Sequence, residues 1–241
     1  MRDRVTANAR GYTRAAPGID IRSVGNSVIA NASWSNEDSG VQIRTGGDNS
    51  LVADNVLWNN GDHGIDVLQA PGCQIIGNSV FHNVTSGIND EGASPGSTGA
   101  TIKNNISVDN AINSPRTSGQ IRVDKDSIPG TVVDSNLVWL SVPDQYVMAW
   151  GTVKYKSYSA YQAASGQEAR GLLADPLWAD PAVGDMHLAP GSPAIDSADG
   201  GAPGEQLTDY YGAGRYDDPD VTNTGIGGRS YDDRGAVERQ G

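Results

Sequence analysis

The residues best suited to chemistry lie in a short run, Gly61-Asp62-His63-Gly64-Ile65-Asp66, and in a set of polar side chains spaced at one coil-like interval. His63, Asp66 and Lys125 are the candidates for moving a proton, because an imidazole, a carboxylate and an amine are the groups that do so near neutrality. Arg44 and Arg122 carry the fixed positive charge that matches a ligand carboxylate in a bidentate fork. Asp20, Gln42, Asn89 and Glu91 add acceptors and amides able to bind hydroxyl groups. Asp66, Asp90 and Glu91 crowd oxygen ligands together and are the candidate calcium set, with Asn89 beside them. His82 is expected to face solvent and His187 to be structural. Three histidines without metal-ligand spacing argue against zinc.

Something must align these residues, and a repeat does so. One phrase is a strand ending in Asn, with an apolar residue three later and often a second Asn two further on: VIANASWSN (28–36), VADNVLWNN (52–60), IIGNSVFHN (75–83), IKNNISVDN (102–110) and VDSNLVW (133–139). The aligned asparagines are Asn31, Asn55, Asn78, Asn105 and Asn136. The other phrase is Gly-apolar-polar-apolar: GIDI (18–21), GVQI (40–43), GIDV (64–67), GIND (87–90) and, with one extra residue, GQIRV (119–123). Alternation with period two makes these strands rather than helical turns. The interval suits one coil of a parallel solenoid, whose equivalent positions stack about 4.8 Å apart. Ile19, Val41, Ile65, Ile88 and Ile121 are expected to form one inward row. Trp34, Trp58, Phe81, Val108 and Trp139 are expected to form another. Asp20, Gln42, Asp66, Asn89 and Arg122 then face outward, with Arg22, Arg44, Leu68, Glu91 and Asp124 two residues on. Stacked asparagines suit the tight bends, because each amide both accepts and donates and Asn tolerates left-handed backbone.

With these phrases in place, the chain resembles the pectate-lyase-like superfamily of right-handed parallel β-helices over residues 18–140. The resemblance, with the usual crossover rule, implies the hand of the coil. It also implies an all-β solenoid of about five or more coils and a polysaccharide or oligosaccharide partner on one stacked face. Arg44 or Arg122 would neutralise a uronate, and Lys125 or His63 would take a proton. GDHGID loosely echoes an Asp-containing turn in polygalacturonases, but an Asp pair on the next coil and the GHG and RIK phrases are missing. Lyase, hydrolase, non-catalytic carbohydrate-binding module and adhesive surface solenoid all stay open, acting on acidic plant or algal polymers if catalytic.

Residues 157–167 read as a short helix. DPLWADP (175–181), GDMHLAPGSPAID (184–196) and RGAVE (234–238) are similar to the C-terminal ends of bacterial β-helix proteins. Residues 141–241 are therefore expected to be an irregular last coil and an extension that covers open strand edges, with 197–233 as a long surface loop. The whole of 1–241 is read as one domain.

Composition sets outer bounds. The chain has 241 residues, 31 glycines, one Phe, one Cys and a net charge of −12. This acidity disfavours nucleic acid and anionic membranes. Cys73 is expected to be a small core residue. No apolar run approaches the roughly 18 residues that would span a bilayer. The first 25 residues lack the apolar stretch of an export signal, so the protein is either cytoplasmic or separated from its signal; a secreted or cell-surface location is the expectation. Further coils upstream, or self-association through the N-terminal end, are expected because the first GIDI phrase arrives already in register.

Overall fold

The computed structural model describes residues 3–8, 16–92, 94–114 and 116–241. Strands of mostly three residues stack into a parallel solenoid of three sheets. The tryptophan sheet runs from Arg4–Thr6 through Ala32–Trp34, Val56–Trp58, Ser79–Phe81, Ile106–Val108 and Leu137–Trp139 to Leu172–Leu173. The glycine-phrase sheet contains Ile19–Ile21, Val41–Ile43, Ile65–Leu68, Ile88–Glu91, Ile121–Val123 and Met148–Trp150. It closes on Val153–Tyr155, which turns back antiparallel. The third sheet has five strands, Ser27–Ile29, Leu51–Ala53, Gln74–Ile76, Thr101–Lys103 and Val132–Asp134. Much of the polar stretch expected at 1–17 lies outside the described residues. The part that is described adds a strand ahead of the first glycine phrase, pairing Arg4–Thr6 with Ala32–Trp34.

The bends explain the asparagines. Asn31 donates its amide to Asn55 Oδ1, Asn55 to Asn78, Asn78 to Asn105 and Asn105 to Asn136, at 2.9–3.1 Å. Each Oδ1 also takes the backbone N–H of the preceding coil's Asn. The row ends on Glu168, whose carboxylate accepts from the Asn136 amide at 2.7 Å and from its backbone N–H at 3.2 Å. Burial pushes the Glu168 carboxyl up to about 7. A second row, Asn36, Asn60, Asn83 and Asn110, runs along the next bend and ends on Gln120 Oε1.

Gln120 stands where the other coils place glycine. Glycine is required there because a Cβ on Gly64 would meet Val80 at 2.3 Å, and one on Gly87 would meet Ser107 at 2.3 Å. At Gln120 the strand keeps its register, but the following coil has Ser141 where the row would place its next Asn, and the Gln120 amide accepts from Asn110 and closes the row.

Asn78 is fully buried and bonds Val52 O, Ile76 O and Asn105 in addition to the two groups of Asn55 it accepts from. Asn78→Ala strands several buried donors and acceptors and is expected to cost ~3 kcal/mol. Urea denaturation measures this, and a loss below about 1 kcal/mol would contradict the account.

The interior holds Ile43, Ile65, Ile75, Ile88, Ile102, Ile121 and Val138 among others, with Cys73 buried among them. The expected inward row of aromatics is corrected. The middle residue of each strand faces in: Leu57, Val80 and Val138 belong to the interior cluster, and Ser33 and Ser107 bond backbone carbonyls across the coil. Trp34, Trp58, Phe81, Val108 and Trp139 therefore face outward. They pack beneath the C-terminal extension, against Met186, Val237, Trp178, Leu188 and Ile195.

Residues 141–241 do two things. From Trp178 onward they lie along the outer face of the tryptophan sheet. The open end of the solenoid is covered by the helix Tyr158–Ser165, capped by Ser157 and by Gly166 in the left-handed conformation. Tyr158 and Tyr161 enter the interior cluster beside Trp150 and Tyr155. Residues 197–233 contain no strand or helix, yet Asp199, Asp209, Asp218 and Asp232 are buried. The stretch is an irregular strap rather than a surface loop.

Candidate functional site

The pairing register aligns Asp20 with Gln42, Gln42 with Asp66, Asp66 with Asn89 and Asn89 with Arg122. These five side chains form one row on the outer face of the glycine-phrase sheet, because each sits between two inward-pointing residues of its strand; within the row Gln42, Asp66 and Asn89 are buried. The row is bonded together. Gln42 donates to Asp66 Oδ2 at 2.8 Å and Asn89 donates to Asp66 Oδ1 at 2.8 Å. Arg122 donates to Asn89 Oδ1 at 2.6 Å and to Glu91 Oε2 at 2.7 Å. Asp20 pairs with Arg22 and Arg44. Burial raises the Asp66 carboxyl above the ordinary aspartate value, against the pull of His63 and the two amide donors.

The bend before this sheet holds Asp62 and His63. His63 is 5 % exposed. Its Nδ1 donates to Ser86 O at 3.1 Å, and its Nε2 lies 3.6 Å from Asp62 Oδ1. Asp62 accepts from the Thr85 hydroxyl at 2.6 Å and from Arg116 at 2.8 Å. Burial works to raise the Asp62 carboxyl, but His63, Thr85 and Arg116 together hold it below its usual value.

The far end of the row opens into a groove of about 350 Å³ lined by Arg122, Asp124, Lys125, Asp126, Gly151 and Lys154, among others. Lys125 is 69 % exposed there, 3.8 Å from Asp126. The structure thus brings Arg122 and Lys125 to one groove and links Arg122 to Asn89, Asp66 and Glu91. It does not bring His63 to Lys125: His63 precedes Ile65–Leu68, whereas Lys125 follows a strand two coils further on.

The expected calcium set needs correction. Asp90 pairs in register with Val67 and Val123 on the core side of the sheet, opposite Asp66 and Glu91. The three carboxylates cannot converge on one ion. No group of three His, Cys, Asp or Glu suited to a metal occurs among the described residues. Of the other histidines, His82 is exposed and contacts Asn59 Oδ1 at 3.0 Å, and His187 is exposed beside Asp185.

Two groups were not anticipated. Arg116 lies in the longest coil, where the interval between Asn105 and Asn136 reaches 31 residues, and that lengthening was its one trace. Lys154 belongs to the strand that turns back antiparallel, which no repeat announces.

The architecture and its outward polar row define a parallel β-helix protein. The family described as "Right handed beta helix region" matches residues 4–128, more than half of the chain, and the chain belongs to that family. No curated protein matches it. Among solved structures the chain is similar to that reported as "Crystal structure of pectate lyase Pel9A", at 14 % identity and a TM-score of 0.47, over 98 % of this chain and 70 % of that one. No helix among the described residues is long and apolar enough to cross a membrane.

Proposed function

We propose that this is an exported carbohydrate-active protein that holds an acidic polysaccharide along the glycine-phrase row and cleaves it by elimination at the Arg122–Lys125 groove. The observation that carries the reading is local charge. In a chain of net charge −12, Arg122, Lys125 and Lys154 gather at one groove, three cations beside Asp124 and Asp126, at the end of a row of amides and carboxylates.

In the reaction, Arg122 faces the uronate carboxylate and stabilises the negative charge that develops when the neighbouring carbon loses its proton. Lys125 takes that proton. The C–H electron pair forms the new C=C bond, the glycosidic C–O bond breaks, and a water molecule in the open groove protonates the leaving oxygen. Asp66, Asn89 and Gln42 are buried beneath the face and position Arg122 through their chain of hydrogen bonds. No step runs through calcium, because the oxygen ligands proposed for it do not share a face.

Uronate polymers with the protein should yield unsaturated product, read by ultraviolet absorbance, and gels containing the polymer should retard the protein. Lys125→Ala is expected to lower the rate at least ~100-fold with retardation kept. Arg122→Ala should lose both. Silence across the panel, with and without Ca²⁺, together with unretarded migration, would overturn the reading. Retardation without product selects a binding module instead. That version draws on the separation of His63 from Lys125, which leaves Lys125 without a second proton-transfer group at the groove among the assigned candidates.

A further inference from the structure

On the opposite side of the coil the outward aromatics form a second concavity. Its floor is Ala32 and Trp58 of the tryptophan sheet. One wall is the turn Val183-Gly184-Asp185, the other is Tyr210-Tyr211, and Arg4 lies at the mouth. The volume is about 410 Å³, within the range of small-molecule clefts.

The rings around it are held rigidly. Trp34 stacks on Trp58 with centroids 4.7 Å apart and planes 7° apart, and the Arg4 guanidinium sits 5.5 Å from the Trp34 ring. Tyr210 meets Tyr211 edge-on at 4.8 Å. His187 stacks on Tyr211 at 4.7 Å and 15°, and its Nδ1 is fixed by Asp185 Oδ1 at 2.5 Å.

We infer that this cleft binds a neutral saccharide. Trp58 is buried, whereas the stacked outer pair stays open to solvent: Tyr211 is 40 % exposed and the His187 side chain 53 % exposed. A flat aromatic surface beside a carboxylate and a guanidinium matches a sugar ring, which offers a C–H face to the aromatic and hydroxyls at its edge to Asp185 and Arg4. Asp185 is an acceptor in the wall, so it favours hydroxyl donors and disfavours a uronate or phosphate at the same place. An acyl chain or apolar peptide would take Arg4 and Asp185 out of water and offer them no new polar contact. The cleft lies on a different sheet from the Arg122–Lys125 groove, so the inference does not depend on the acidic-glycan reading.

The test uses xylotriose, cellotriose and mannotriose, with trigalacturonate as the charged comparison. Trp58 in the floor provides a fluorescence signal, and calorimetry checks it. At least one neutral trisaccharide should give saturable binding. Tyr211→Ala and Asp185→Ala should each weaken it about tenfold, the loss of one stacking or charged contact, while Tyr211→Phe keeps it. Both positions are on the surface, and unchanged melting temperatures establish that the variants fold; if Tyr211→Ala does not, Asp185→Asn decides. The inference is overturned if no neutral trisaccharide binds, if trigalacturonate binds more tightly than all three, or if affinity survives both alanine variants. Tyr211→Ala should still be retarded by uronate polymer, so a failure here is separable from a failure at the basic groove.

Discussion

Arg215→Ala should release the C-terminal extension from the solenoid and cost about 3–5 kcal/mol, because it leaves buried carboxylates without their cation. Arg215 reaches Asp54 Oδ1 at 3.2 Å, Glu205 Oε1 at 3.0 Å and Glu238 Oε2 at 3.0 Å, and every side chain in the group is at most 2 % exposed. Asp54 belongs to a coil, whereas Glu205, Arg215 and Glu238 belong to the extension. The cluster is therefore the polar joint between them. One cation serves three acids, so burial raises all three: Asp54 well above the ordinary aspartate value, Glu205 to about 7 and Glu238 upward as well. A carboxyl whose folded value is raised favours the native state below its unfolded value, and that contribution fades as pH rises through the folded value. The variant should accordingly be damaged least near pH 4 to 5 and most above about 7. Limited proteolysis after Leu173, together with thermal melts across that range, reads both effects. A small, pH-independent change with an intact extension would refute the joint. Partial rescue by Glu205→Gln in the Arg215→Ala background would support it.

Asp90→Val should do the reverse and stabilise the protein by ~2 kcal/mol at neutral pH, the scale of an unpaired buried polar group. Asp90 is fully buried on the inward face, in line with Val67 and Val123. Its Oδ1 has no hydrogen-bond partner among the described residues, and Oδ2 has only a long contact, 3.5 Å, from the Thr131 hydroxyl. Burial, and then the nearby Asp124, push its carboxyl well above the usual range. In the unfolded chain Asp90 ionises near pH 4, so the native state loses stability relative to it as pH rises from there. The gain from valine should be largest at neutral and alkaline pH and shrink toward pH 4. Paired melts of the two proteins decide it. A destabilised variant, or a gain that ignores pH, would mean that Asp90 is held by something other than its neutral form.

The coils were legible wherever one polar residue separates two apolar ones. Ile65-Asp66-Val67 shows its two faces directly, and the outward row from Asp20 to Arg122 follows. Val56-Leu57-Trp58 does not, because all three residues are apolar and both faces of that strand are covered, one by the interior and one by the extension. Alternation carries no information when neither side meets water. Asp90 misled for the opposite reason: a charged side chain at an inward position looks like a surface ligand until its pairing with Val67 is known. The groove was half legible. Arg122 and Lys125 stand in the repeat, but Lys154 comes from a strand that reverses direction, and the cleft at Trp58 is assembled from residues as far apart as Arg4 and Tyr211.

The two rows of asparagines have a direction. Every amide hands its hydrogen bond onward to the following coil, and the sequence of bonds stops where the acceptor is of a different kind, Glu168 in one row and Gln120 in the other. An interior rung is therefore interchangeable with its neighbours, while the terminal rung is not. The asparagine rows alone would accept one coil more or fewer between Asn55 and Asn105, but the extension would not, because Arg215 holds Asp54 while Asp199 and Glu205 hold Asn104. Both rows thus end toward the C-terminal side of the solenoid, at Glu168 and Gln120, and the extension ties together the coils that precede them.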